Sequence, residues 1–75
     1  MNALVLTYPF KDAEPATFAD LDIVSALHAV MTDEGEEVPA GTRGTVVAVY
    51  GAGKAYEVEF EAGLATVYAA DLVKA

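Results

Sequence analysis

The sequence predicts a small all-β domain, a closed barrel of about five short strands preceded by an N-terminal extension. Three observations lead there. The second half of the chain places short β-branched and aromatic runs between glycine-bearing turns. Within it, Ala55 to Glu61 alternates strictly, with Tyr56, Val58 and Phe60 on one face and Glu57, Glu59 and Glu61 on the other. Finally, 75 residues leave too little chain for two packed sheets, so strands this closely spaced are expected to close on themselves. A composition 55% apolar and 21% charged argues for a compact core and against disorder. At this size folding buries only about 60% of the surface of the unfolded chain, so stability is small.

Taken in order, residues 1–19 form the extension. Leu4 to Tyr8 reads as a short strand ended by Pro9, and Lys11 to Ala16, with Pro15, as an exposed loop. From Leu21 to Met31 two periods compete: Leu21, Ile23, Leu27, Ala29 and Met31 alternate, while Val24, Leu27 and Met31 have helical spacing. Thr17 with Asp20 resembles a capping box and favours helix, whereas Ile23 and Val24 favour strand. Periodicity leaves both open. An acidic loop, Asp33-Glu34-Gly35-Glu36-Glu37, and Pro39 precede a strand from Gly44 to Tyr50 that is rich in β-branched residues, Thr45, Val46, Val47 and Val49. Gly51-Ala52-Gly53-Lys54 supplies a hairpin turn, Ala55 to Glu61 the next strand, and Gly63 a second turn. Leu64 to Tyr68, a tight turn at Ala69-Ala70-Asp71 and a short closing strand at Leu72-Val73 complete the domain of residues 20–75.

Twelve acids against four bases give a net charge of −8, concentrated in residues 1–37, where eight acids accompany the single basic residue Lys11. That field repels phosphate backbones and anionic headgroups and attracts cations, so direct nucleic-acid binding is not expected and a basic partner is. No apolar run approaches the roughly 20 residues of a membrane span. The opening residues lack the basic and apolar regions of a signal peptide, so no membrane association and no export are expected. Absence of cysteine removes disulfides, thiolate metal sites and a cysteine nucleophile, and fits a cytoplasmic setting.

Three blocks carry a resemblance: Leu21-Asp22-Ile23-Val24, then Gly41-Thr42-Arg43-Gly44-Thr45-Val46-Val47, then Ala55-Tyr56-Glu57-Val58-Glu59-Phe60, followed by Ala70-Asp71-Leu72. Over about residues 20–73 the chain resembles a family of small bacterial proteins known as a domain of unknown function, with LDxV, GxxGTVV and AYEVEF blocks. The resemblance implies an SH3-like β-barrel in which Leu21–Leu27 is the first strand and Thr32–Gly41 a long loop before the central hairpin. It implies no catalytic residues. Gly41, Gly44 and the valines after them also resemble the turn and strand of KOW-type barrels, some of which bind RNA or ribosomal proteins.

Several candidate chemistries compete with plainer roles. Ser25 and His28 are the only serine and the only histidine, and they lack a fixed third member for a nucleophilic triad. Gly51-Ala52-Gly53-Lys54 lacks the first glycine and the final Ser or Thr of a phosphate-binding loop. Glu57, Glu59 and Glu61 are read as a solvated, edge-protecting face rather than paired catalytic acids. The acidic run lacks calcium-loop spacing. No enzyme, cofactor or metal is therefore expected. The candidate partner-binding residues are Asp33, Glu34, Glu36 and Glu37 in the acidic loop, with Tyr8 and Tyr68 as aromatic contacts; Tyr56 belongs to the core and Tyr50 to a barrel mouth. The expected role is a non-enzymatic protein-binding module, in its most concrete form an acidic inhibitor, immunity or antitoxin-type protein meeting a basic surface. The alternative is an accessory SH3-like, KOW-like subunit of a larger enzyme or ribonucleoprotein complex.

Overall fold

Ile23 and Val24 carry β-branched side chains that favour extended backbone, and the chain obeys them: Ile23–Ala26 is strand β1, which settles the competition between periods. The computed structural model describes residues 18–75. Strands β2 (Val30–Met31), β3 (Glu37–Val38), β4 (Arg43–Tyr50), β5 (Ala55–Phe60), β6 (Gly63–Tyr68) and β7 (Leu72–Lys74) come after it. A 3-10 turn, Ala69–Asp71, stands between β6 and β7. The expected Leu4–Tyr8 strand, the loop from Lys11 to Ala16, the Thr17 cap and Tyr8 lie outside the described residues.

All pairings are antiparallel, and five strands form one sheet in the order β6-β5-β4-β1-β7, with β2 and β3 as a separate hairpin. The expected closed barrel is not found: among the described residues the sheet is open, with β6 and β7 at its edges. The three residues of β7 are all matched to β1, and β6 meets the β2–β3 hairpin instead, where Asp33 N–H donates to the Leu64 carbonyl at 2.7 Å.

The core takes its side chains from alternate positions: Val24 and Ala26 of β1, Val46 of β4, Tyr56, Val58 and Phe60 of β5, Ala65 and Val67 of β6, and Leu72 of β7. Burying each larger apolar side chain stabilises the domain by about 1.5–3 kcal/mol. On β1 the inward phase is Val24 and Ala26, while Leu21, Ile23 and Leu27 are exposed. Phe18, within the stretch expected to be an extension, belongs to the core; its ring meets Tyr56 edge to face, centroids 5.3 Å apart. A turn just after it fixes this position, because Ala19 N–H donates to Asp22 Oδ2 at 2.9 Å and Leu21 adopts φ 72°.

Two departures from regular strand geometry shape the middle of the sheet. Gly44 of β4 faces β5 so closely that a Cβ there would lie 2.6 Å from Val58 Cγ1 and 2.7 Å from Phe60 Cδ1. Further along, a bulge between Val46 and Ala48 shifts the register so that Val46 pairs with Val58, Ala48 with Glu57 and Tyr50 with Ala55. Unbroken alternation would put Tyr50 on the same side as the core residue Val46. The extra residue turns it to the outer face.

Candidate functional site

The acidic run is built into a hairpin. Val30 pairs with Val38 and Met31 with Glu37, and the buried Val38 anchors the returning strand in the core. Thr32, itself buried, ties the tip together: its N–H donates to the Glu36 carbonyl at 2.7 Å and its Oγ1 accepts from Glu36 N–H at 2.8 Å. Gly35 closes the turn at φ 93°, a left-handed conformation suited to glycine. Asp33, Glu34, Glu36 and Glu37 are all exposed around this tip. What reads in sequence as a loose loop is thus a cross-linked hairpin, fastened to β6 through Asp33 and Leu64.

Two open hollows flank it. One, of about 340 Å³, is lined by Thr32, Asp33 and Glu34 against Ala62, Gly63 and Leu64. The other, of about 300 Å³, lies between Glu37, Val38 and Pro39 on one side and Phe60, Glu61 and Ala62 on the other.

From the hairpin the outer face of β4, β5 and β6 runs towards Tyr68, which is 70% exposed. Leu64 and Tyr68 stand at opposite ends of β6, about 13 Å apart at the usual rise per residue, so the acidic tip and Tyr68 do not form one cluster. Between them is a group that strand alternation assigns to solvent. Glu57 is only 9% exposed, and its Oε1 accepts hydrogen bonds from Thr66 Oγ1 at 2.7 Å and Tyr50 Oη at 3.3 Å. This corrects the expectation of three solvated glutamates: β5 is an inner strand, and Thr66 and the bulge-turned Tyr50 close over its first outward glutamate. Glu59 stays exposed, and Glu61 lies in the turn after β5.

Tyr50 is half-exposed, and its hydroxyl is held above its ordinary pKa by loss of solvent, then by the charge and hydrogen bond of Glu57, and last by the charge of Asp33. The charge of Asp33 thus reaches the Tyr50 hydroxyl. A signal for this cluster exists in the sequence. A four-residue turn at Gly51–Lys54 pairs Tyr50 with Ala55, and counting two along β5 puts Glu57 on the same face.

The remaining candidates fall elsewhere. Gly53 and Lys54 both donate backbone N–H groups to the Tyr50 carbonyl at 3.1 Å, so Gly51–Lys54 is the expected hairpin turn. Ser25 lies in β1, while His28 lies beyond its end, exposed, with Nε2 3.9 Å from Asp71 Oδ1. Among the described residues no three His, Asp or Glu side chains gather as a metal site, and no helix is long and apolar enough to cross a membrane. Comparison with protein-family models, with curated proteins and with solved structures finds no match to this chain.

Proposed function

We propose that the chain is an SH3-like, non-enzymatic protein-binding module that meets a basic protein surface with its β2–β3 hairpin. The observation carrying this reading is the tip itself: four exposed carboxylates, Asp33, Glu34, Glu36 and Glu37, on a turn tied down by Thr32 and by the Asp33–Leu64 bond. Charges held in place lose less entropy on binding than charges on a loose loop, and clustered rim charges speed encounter with an oppositely charged partner. The SH3-like part is supported by the succession of elements: a first strand, a long excursion, three strands joined by tight turns, a 3-10 turn, and a short last strand beside the first. In its most concrete form such a module is an inhibitor or immunity-type protein that covers the basic site of a toxin or nuclease.

The test uses the Asp33→Asn, Glu34→Gln, Glu36→Gln, Glu37→Gln variant beside the wild type. Proteins retained by the wild type and lost by the variant should be basic. Stopped-flow association with one of them should be slower for the variant and flatter in its dependence on salt, with dissociation changed less. Equal association rates and salt slopes would remove the hairpin from the interface.

A further inference from the structure

Tyr50, Ala55 and Tyr68 form one cross-strand row on the outer face, since Tyr50 pairs with Ala55 and Ala55 with Tyr68. The next outward row is Ala48, Glu57 and Thr66. Two exposed tyrosines thus stand on either side of a small residue, with a carboxylate one step further along the central strand. The backbones of Tyr50 and Tyr68 are two strand spacings apart, about 9.6 Å. Two rings each in van der Waals contact with a flat group between them need roughly 7–8 Å. Tyr50 leans in from one side, its hydroxyl 3.3 Å from Glu57 Oε1, and Tyr68 on the other side is 70% exposed.

The carboxylate is the unusual part. Glu57 is nine-tenths buried, and among the described residues the two hydrogen bonds to its side chain come from neutral hydroxyls and fall on Oε1. Among the described residues no salt bridge reaches it: Lys74 lies against Asp22, and the exposed His28 faces Asp71. A buried anion without a counter-charge is costly and is ordinarily paired. Here Oε2 is left for a donor from outside the described residues.

We propose that Tyr50, Ala55, Glu57, Thr66 and Tyr68 form a slot for an arginine side chain of a basic polypeptide, with the guanidinium stacked between the tyrosines and donating to Glu57 Oε2. Arginine is chosen over lysine because its planar head stacks on aromatic faces and its fork of N–H donors matches a carboxylate. The slot deepens the basic-partner reading and rests on it, but it occupies a different part of the surface from the acidic tip.

Acetyl-Gly-Arg-Gly-amide, titrated into the 15N-labelled full chain, is the probe, with the citrulline and lysine peptides of the same length as controls. The arginine peptide should give saturable shifts at the amides of Tyr50, Ala55, Glu57, Thr66 and Tyr68, the citrulline peptide none, and the lysine peptide weaker ones. Glu57→Gln, which keeps the shape of the side chain, should weaken arginine binding by about tenfold or more. Tyr68→Ala, at an exposed position whose loss leaves the core intact, should weaken it by a similar factor. Equal shifts with citrulline, equal binding of lysine, or no response at these amides overturns the slot. Shifts confined to residues 33–37 also overturn it while leaving the acidic-hairpin reading in place. The reverse pattern, slot shifts unchanged in the quadruple hairpin variant whose salt slope matches wild type, removes the hairpin and keeps the slot.

Discussion

Position 44 shows how much one missing methyl group can decide. With Val58 and Phe60 within 3 Å of where a Cβ would sit, Gly44→Ala must push β4 and β5 apart or drive both side chains off their rotamers. A destabilisation of about 1–3 kcal/mol is the expected outcome in urea unfolding; an unchanged midpoint would show that β5 yields freely there. Gly41 has a different reason to be glycine, a left-handed φ of 87° in the turn before β4. The two glycines of the Gly41–Val47 block thus answer separate demands, which spacing alone does not distinguish. Asp22 acts through charge. Its carboxyl is held below its ordinary pKa of 3.8, first by the Ala19 N–H and then by Lys74, with partial loss of solvent opposing. The unfolded chain therefore binds a proton at Asp22 more readily than the folded one. The stabilisation is present above the unfolded value and fades as pH falls through the folded one. Between about pH 5 and pH 2, Asp22→Asn should lose less melting temperature than the wild type; parallel acid profiles would show that this carboxylate contributes nothing to acid sensitivity.

Strand β5 is the element in which pattern and structure agree best and also where they part. Tyr56, Val58 and Phe60 face the core as the alternation requires. Val58→Asp places an unpaired charge there, at roughly 3–5 kcal/mol, and should abolish the cooperative melt in circular dichroism, whereas Glu59→Lys should fold normally. The opposite result would invert the register. The alternation also identifies the outward set, but not that its first member is covered, because cover comes from neighbours: Thr66 across one ladder, and Tyr50 brought round by a bulge that has no residue signature of its own. Turns at Gly51–Lys54 and before Gly63, the 3-10 turn and the closing strand are legible because glycine and chain length leave few alternatives. The β2–β3 hairpin is not. Its strands have two residues each, below the length at which alternation can be counted, and it is held by Thr32 and Val38, neither of which stands out in a charged run. Phe18 escapes for a similar reason, since a lone aromatic after a proline-bearing stretch has no period to belong to.

Across the whole molecule the charge is arranged rather than merely abundant. Arg43, Lys54 and Lys74 are exposed, but they lie at the start of β4, in the β4–β5 turn and beside Asp22, too dispersed to form a phosphate-tracking stripe. In a gel-shift titration at physiological salt the chain should show no submicromolar binding of RNA or DNA; such binding would mean that a basic surface exists which these positions do not account for. The open sheet carries a further consequence, for the order in which it assembles. Strands β4, β5 and β6 are joined by tight turns and can zip together through local contacts, at little cost in loop-closure entropy. Strand β1 must find β4 across the excursion that holds the acidic hairpin, and among the described residues β7 pairs with β1 alone, almost the full described length away. Contacts that distant in sequence carry the larger loop-closure cost and slow folding. Tyr50, Glu57 and Tyr68 thus stand on the half of the sheet that is knit by local pairings.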